Sequence, residues 1–133
     1  MKQIVLTLLL ALSAMATELH WYDDYKTALD MAKKEHKLLY VFISSADCGW
    51  CHKFEKTTLQ DEAIKKRLAK EFIVVHLVRD FDDIPKQFET SPVPRHYFVD
   101  ANGNTIYHAL GYRKVECFNS FMDNTQDRLK ITK

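Results

Sequence analysis

The spacing of hydrophobic and polar residues changes several times along the chain, and each change marks an element. Over residues 21–36 the apolar positions Tyr22, Tyr25, Leu29 and Ala32 recur at helical spacing with Lys and Asp between them, which predicts an amphipathic helix ended by Lys37. Residues 38–43, Leu-Leu-Tyr-Val-Phe-Ile, form a continuous apolar run too short for a helix and read as a strand buried on both faces. Ser44-Ser45-Ala46-Asp47 breaks the run, and Cys48-Gly49-Trp50-Cys51 follows. Helical spacing resumes from Cys51 through Phe54 and breaks near Thr57-Thr58. It starts again where Asp61 can cap a segment with Ala63, Ile64 and Leu68 on one side. The Val-rich residues 72–78 predict a second buried strand, and a short helix is expected near Pro85 within residues 81–90.

Tyr97-Phe98-Val99 and Thr105-Ile106-Tyr107 flank Asn102-Gly103, a strong hairpin signal because both central residues of a type I′ turn need positive φ. Gly111 closes the hairpin, and a last helix carries Phe118, Phe121, Met122 and Leu129 on one face. The order is helix, strand, helix, strand, short helix, strand, strand, helix. This predicts an α/β fold with a mixed sheet, parallel in its first part, and helices on both faces.

The amino terminus follows another logic. Met1-Lys2 supplies a positive charge, residues 4–12 an apolar stretch interrupted only by Thr7, and Ala14-Met15-Ala16 a small-x-small cleavage site. Residues 1–16 are therefore expected to be a cleaved signal peptide and residues 17–133 one folded domain, exported, and periplasmic if the source is a Gram-negative bacterium. The apolar stretch falls short of the roughly 20 residues that span a bilayer. Loss of Lys2 leaves 18 of the 19 basic residues against 18 acidic ones. Such a neutral chain has no strong field for nucleic acid or anionic lipid, and neither is expected as a partner. At 47% hydrophobic, the 133 residues hold enough apolar side chain for a core without disulfide staples.

Export sharpens the reading of the cysteines. Cys48 and Cys51 lie where a buried strand hands over to a helix. A sulfur at a helix N-terminus faces unpaired N–H groups and the positive end of the dipole, which favour thiolate over thiol. Cys48, first in the turn and expected to be exposed, is the candidate nucleophile. Cys51, one turn on and more buried, is the candidate that resolves a mixed disulfide. A bridge between them closes almost no loop, so a structural staple is a weak alternative.

Residues 41–55, Val-Phe-Ile-Ser-Ser-Ala-Asp-Cys-Gly-Trp-Cys-His-Lys-Phe-Glu, resemble the strand, active site and helix of the thioredoxin superfamily. Within and beyond them, Cys51-His52-Lys53-Phe54-Glu55-Lys56-Thr57-Thr58-Leu59 is similar to the C-terminal domain of DsbD-type thiol:disulfide interchange proteins. Pro94-Arg95-His96-Tyr97-Phe98-Val99-Asp100-Ala101-Asn102-Gly103 resembles the family's cis-proline, strand and turn. The resemblance implies a three-layer α/β/α domain with a mixed central sheet. It also implies a cis Val93–Pro94 bond that presents the Val93 backbone to an extended substrate segment. Pro92 is the rival for that bond, at a spacing that does not suit the family pattern. Gly49, Trp50, Val93 and Pro94 are the expected substrate-binding residues, although Trp50 could also pack against the rim.

Departures from the family bear on proton movement. The buried Asp of the strand before the active site is Phe42 here. Glu55, four residues after Cys51 and on its helix face, matches an acidic position of the DsbD-like domain. It is the candidate proton relay, with a solvated helix carboxylate as the alternative. Arg95 stands where Thr is usual, either to recognise acidic substrate or simply exposed.

Cys48-Gly49-Trp50-Cys51-His52 also fits covalent c-type haem attachment, with His52 as axial ligand and Met122 as a possible second, but that reading expects a mainly helical frame. A Zn or Cu(I) carrier using Cys48, Cys51 and His52 would need a further ligand, and His20, His36, His76, His96 and His108 are scattered along the chain. The favoured reading is a monomeric thiol–disulfide oxidoreductase, leaning toward reduction, without cofactor or metal. Its expected partners are proteins with disulfides or thiols and a membrane or soluble redox partner. Lone Cys117 is either a reactive thiol or a small buried hydrophobe.

Overall fold

Residues 16–132 are described by a computed structural model; the expected signal peptide falls almost wholly outside them. Two apolar runs become the middle of a sheet: β2 (Leu38–Ser44) and β3 (Phe72–Val78) pair in parallel along their whole length. Strand β4 (Arg95–Val99) pairs antiparallel on the other side of β2, and β5 (Thr105–Leu110) pairs antiparallel with β4. A two-residue strand β1 (Trp21–Tyr22) completes the order β1-β3-β2-β4-β5. The helices are α1 (Tyr25–Glu35), α2 (Gly49–Lys56), α3 (Glu62–Glu71) and α4 (Val115–Ile131), with a 3₁₀ turn at Thr58–Gln60 between α2 and α3.

Period-two alternation splits the core into two layers. Tyr40 and Phe42 of β2 face Phe54, Ile64, Leu68, Phe118 and Met122 from α2, α3 and α4. Leu39, Val41 and Ile43 point the other way, to Ala28 and Ala32 of α1 and to Phe88. The result is the expected three-layer α/β/α domain around a mixed sheet.

Four expectations need correction. The first helix begins at Tyr25 and not at Trp21, because Asp24 is its N-cap and accepts the Thr27 N–H at 2.8 Å; Trp21 and Tyr22 pair instead with Val74 and Val75. No helix forms near Pro85. One turn closes there, from Phe88 N–H to Pro85 O at 3.0 Å. The next N–H, of Glu89, donates to the Tyr97 hydroxyl at 2.9 Å and so is lost to a continuing helix.

The hairpin loop is not a two-residue type I′ turn. The Asp100 carboxylate takes the N–H groups of Asn102 and Asn104, both at 2.9 Å, and only Gly103 has positive φ, at 89°. Ala63, placed by periodicity beside Ile64, is exposed.

Candidate active site

The C-terminal end of central strand β2 delivers the chain to Cys48 through residues 45–47. That turn is tied down on its outer side by the Ala46 N–H, which donates to the Asp80 carboxylate at 2.8 Å. Cys48 has extended backbone, with φ −124° and ψ 101°, and is the N-cap of α2. Its Sγ accepts the Cys51 N–H at 3.1 Å, and its carbonyl accepts the His52 N–H at the same distance. Sulfur therefore stands where an oxygen cap usually sits, at the positive end of the helix. Cys48 and Cys51 are joined as a disulfide, with Cα atoms 5.2 Å apart. Cys48 is more covered than expected, at 9% accessible, yet Cys51 is entirely closed off. The asymmetry between the two residues has the expected sense.

Beneath the pair lies an aromatic and imidazole layer. Phe42 is fully buried and packs on Phe54, with ring centroids 5.4 Å apart, and on His76 at 4.6 Å. Phe54 in turn meets His96 at 4.9 Å and Phe118 at 5.3 Å. His96 is wholly buried, with Nδ1 2.7 Å from the Tyr40 hydroxyl and Nε2 2.8 Å from the Gly111 carbonyl. Burial lowers its pKa to about 4, against the opposing pull of the Gly111 carbonyl.

Glu55 is half-buried on α2 between two imidazoles. His52 Nδ1 lies 3.5 Å from one carboxylate oxygen and His76 Nδ1 lies 3.6 Å from the other. His76 also bonds the Ser44 hydroxyl through Nε2 at 2.6 Å. Burial lowers the His76 pKa below its ordinary value, while the Glu55 and Asp82 carboxylates pull it back up. Glu55 is thus neither a freely solvated carboxylate nor a solitary one.

A shallow groove of about 330 Å³ runs beside the cysteines, lined by Trp50, Val93, Pro94, Gly111 and Tyr112. Trp50 is 60% accessible and leans on Tyr112 at 5.6 Å, with the Lys53 ammonium 5.2 Å from the Trp50 ring. Gly49 is exposed next to it. The Val93–Pro94 peptide is cis, and so is Ser91–Pro92. Neither reading of Arg95 fits. Its guanidinium is mostly covered and donates to Pro92 O at 2.8 Å and Ser91 O at 3.0 Å, and it pairs with Glu89 at 2.9 Å. It ties the proline segment together from inside.

Cys117 is exposed, because the buried stripe of α4 passes through Phe118, Phe121, Met122 and Thr125. The mixed sheet is not the mainly helical frame that a haem-binding reading requires. Among the described residues, no three His, Cys, Asp or Glu side chains gather as a metal site. Sequence reasoning passed over His76 and His96 as scattered histidines. The available signal was a polar residue within each of two apolar strand runs, at alternating positions that share the face of Phe42.

The family model described as Thioredoxin-like matches residues 20–101. Human Spermatogenesis-associated protein 20 is 32% identical over 71 residues, covering 53% of this chain and 9% of that protein. Disulfide bond reductase DsbH of Chlamydia pneumoniae is 28% identical over 109 residues, covering 68% of this chain and 62% of that one. This chain therefore spans less than two thirds of either relative. Among solved structures, a thioredoxin from Thermus thermophilus superposes with a TM-score of 0.66 at 22% identity, over 87% of this chain and 90% of that one. The oxidised C-terminal domain of Neisseria meningitidis DsbD gives 0.63 at 19% identity, over 80% and 99%.

Proposed function

The chain belongs to the thioredoxin-like family, and on that premise we propose that it is an exported thiol–disulfide oxidoreductase that reduces protein disulfides through Cys48 and Cys51. The observation that carries this reading is the position of the Cys48 sulfur, capping α2 and accepting the Cys51 N–H at 3.1 Å. The helix N-terminus stabilises a thiolate there, and the thiolate is the attacking species.

In the reduced protein, Cys48 attacks one sulfur of a substrate disulfide and forms a mixed disulfide. The departing substrate thiolate takes a proton from water. Cys51 then loses its proton and attacks the Cys48 sulfur, which closes the Cys48–Cys51 disulfide and releases the second substrate thiolate. Two electrons pass from the protein dithiol to the substrate, and a dithiol redox partner restores the reduced form.

Gly49, Trp50, Val93 and Pro94 form the substrate-facing surface in this scheme. The groove lets an extended segment lie along the Val93 backbone, with Trp50 as its apolar wall. Glu55, one helical turn after Cys51, is the group that accepts the Cys51 proton. Direction is argued from the Chlamydia relative, whose name describes a disulfide bond reductase. Export is argued from residues 1–16, with residues 17–133 as the working domain. No helix among the described residues is long and apolar enough to cross a membrane. The domain acts as a monomer on protein partners, without a cofactor.

Two variants test the scheme. Cys48→Ser should abolish dithiothreitol-coupled reduction of insulin disulfides, and unchanged turnover would refute Cys48 as the nucleophile. Cys51→Ala should retain the first step and accumulate mixed disulfides with substrate proteins in cells.

A further inference from the structure

The buried side of the site holds a chain of polar groups in place of a single carboxylate. Phe42 sits in register with His76 across β2 and β3 and presents only a ring face to it. Titratable groups lie along the flank instead. Ser44 Oγ is 2.6 Å from His76 Nε2, His76 Nδ1 is 3.6 Å from Glu55 Oε1, and Glu55 Oε2 is 3.5 Å from His52 Nδ1. The inner end is mostly covered, since the His76 side chain is 25% accessible, and the outer end opens to water at His52, at 54%. Glu55 lies between them on the helix stripe of Cys51.

We propose that His76 is a positioning residue for resolution by Cys51, holding the Glu55 carboxylate in place to receive the thiol proton. The proposal rests on the oxidoreductase reading and assigns a residue to it. A carboxylate only accepts, so with Glu55 ionised the imidazole turns Nδ1–H toward it and Nε2 accepts from the Ser44 hydroxyl. Glu55 takes the Cys51 proton on Oε2, the oxygen that faces His52, while Oε1 stays turned to the Nδ1–H of His76. The Ser44 hydroxyl at Nε2 keeps the imidazole in this one tautomer throughout. The proton then leaves to water on the exposed His52 side. Cys51 Sγ meanwhile bonds to Cys48 Sγ, and the released substrate thiolate is protonated from solvent.

The charged and titratable groups that face His76 are few. Glu55 and His52 come from α2 and Asp82 from the turn after β3. Ser44 comes from β2, while Trp21 of β1 and Phe42 of β2 offer aromatic rings. Acid should therefore slow resolution, because a protonated His76 holds the Glu55 carboxylate ionised and makes it a weaker base.

The test is stopped-flow reaction of the reduced protein with excess 5,5′-dithiobis(2-nitrobenzoate), with Cys117→Ser carried throughout to remove the exposed third thiol. The first equivalent of thionitrobenzoate reports attack by Cys48, and the second reports resolution by Cys51. His76→Gln, which can still bond Ser44, should slow the second phase about tenfold at pH 7. It should also erase the inflection that the wild-type second phase shows below about pH 6.5. The first phase should change by less than about twofold. Glu55→Gln, at a half-buried helix position, should produce the same loss, and the double variant should be no slower than either single one. If His76→Gln does not fold, loss of the inflection in His76→Asn carries the test. Equal slowing of both phases, an unchanged inflection, or multiplicative effects in the double variant would overturn the proposal. A wild-type protein that releases no second equivalent would overturn the oxidoreductase reading and the proposal together.

Discussion

The Tyr40 hydroxyl and His96 Nδ1 lie 2.7 Å apart with both side chains wholly buried, and this contact fixes the state of the imidazole. The Gly111 carbonyl, 2.8 Å from Nε2, can only accept, so Nε2 carries the proton. Nδ1 of the neutral ring is then an acceptor, and the Tyr40 hydroxyl donates to it. Burial raises the Tyr40 pKa well above its ordinary value, which keeps that hydroxyl protonated and donating. The bond to Gly111 connects the core to the wall of the groove beside Trp50.

A neutral buried histidine makes stability depend on acid in a defined direction. Its pKa is about 4 in the folded protein against an ordinary 6.5, so below 6.5 the unfolded chain binds a proton that the folded chain refuses. The stability present at pH 7 is lost as pH falls from about 6.5 to 4, by about 3 kcal/mol for a shift of this size. Urea unfolding at intervals across that window should show the loss. His96→Gln should be less stable at pH 7 yet flatter over the window than the wild type. Equal slopes for the two proteins would disprove the assignment.

Phe54 anchors the active-site helix from below. It is fully buried three residues after Cys51, and its ring meets Phe42, His96 and Phe118. Phe54→Ala should cost about 3–5 kcal/mol through lost burial and an incompletely collapsed cavity. Chemical denaturation measures this directly. A loss under about 1 kcal/mol would mean that α2 is held by other contacts.

Much of the fold was legible because its signals are local. Residues 38–43 are an unbroken apolar run and residues 72–78 one interrupted only by His76, and they became the two central strands with nearly the expected bounds. Asp61 caps α3 as expected, accepting the Ile64 N–H at 3.0 Å. What escaped was decided by distant partners. Trp21 and Tyr22 fit a helical period but are drawn to the free edge of β3, some 50 residues away in sequence. The turn at Pro85 stops because Tyr97 claims the next N–H. In the site, spacing was enough to place Cys48 at a helix start, since strand, motif and helix are contiguous. His76 reaches Glu55 only because β3 lies beside β2, and Arg95 turns inward only because the proline segment folds back over it. No window of sequence holds those contacts.

Trp50 separates binding from stability. Its ring is exposed and rests on Tyr112 at the rim of the groove. Trp50→Ala should leave unfolding free energy within about 0.5 kcal/mol, as for other exposed positions. Reduction of a protein disulfide should fall about five- to tenfold in kcat/KM, mainly through KM, because an aromatic anchor for the substrate is gone. Reaction with a small disulfide, too short to reach the groove wall, should be unaffected. Equal losses on both substrates would place Trp50 in the chemistry and not in recognition.

An N-cap sulfur that accepts a backbone N–H has its negative form stabilised by that bond and by the helix dipole, and both favour thiolate over thiol. Burial acts the other way, but Cys48 keeps some exposure to water while Cys51 has none. The cap should prevail at Cys48. Thiolate absorbance in Cys51→Ala, with Cys117→Ser to silence the exposed thiol, should therefore rise with a midpoint below about pH 7.5. A midpoint near the ordinary thiol value of about 8.5 would mean that the helix terminus gives no activation, and the nucleophile would lose its physical basis.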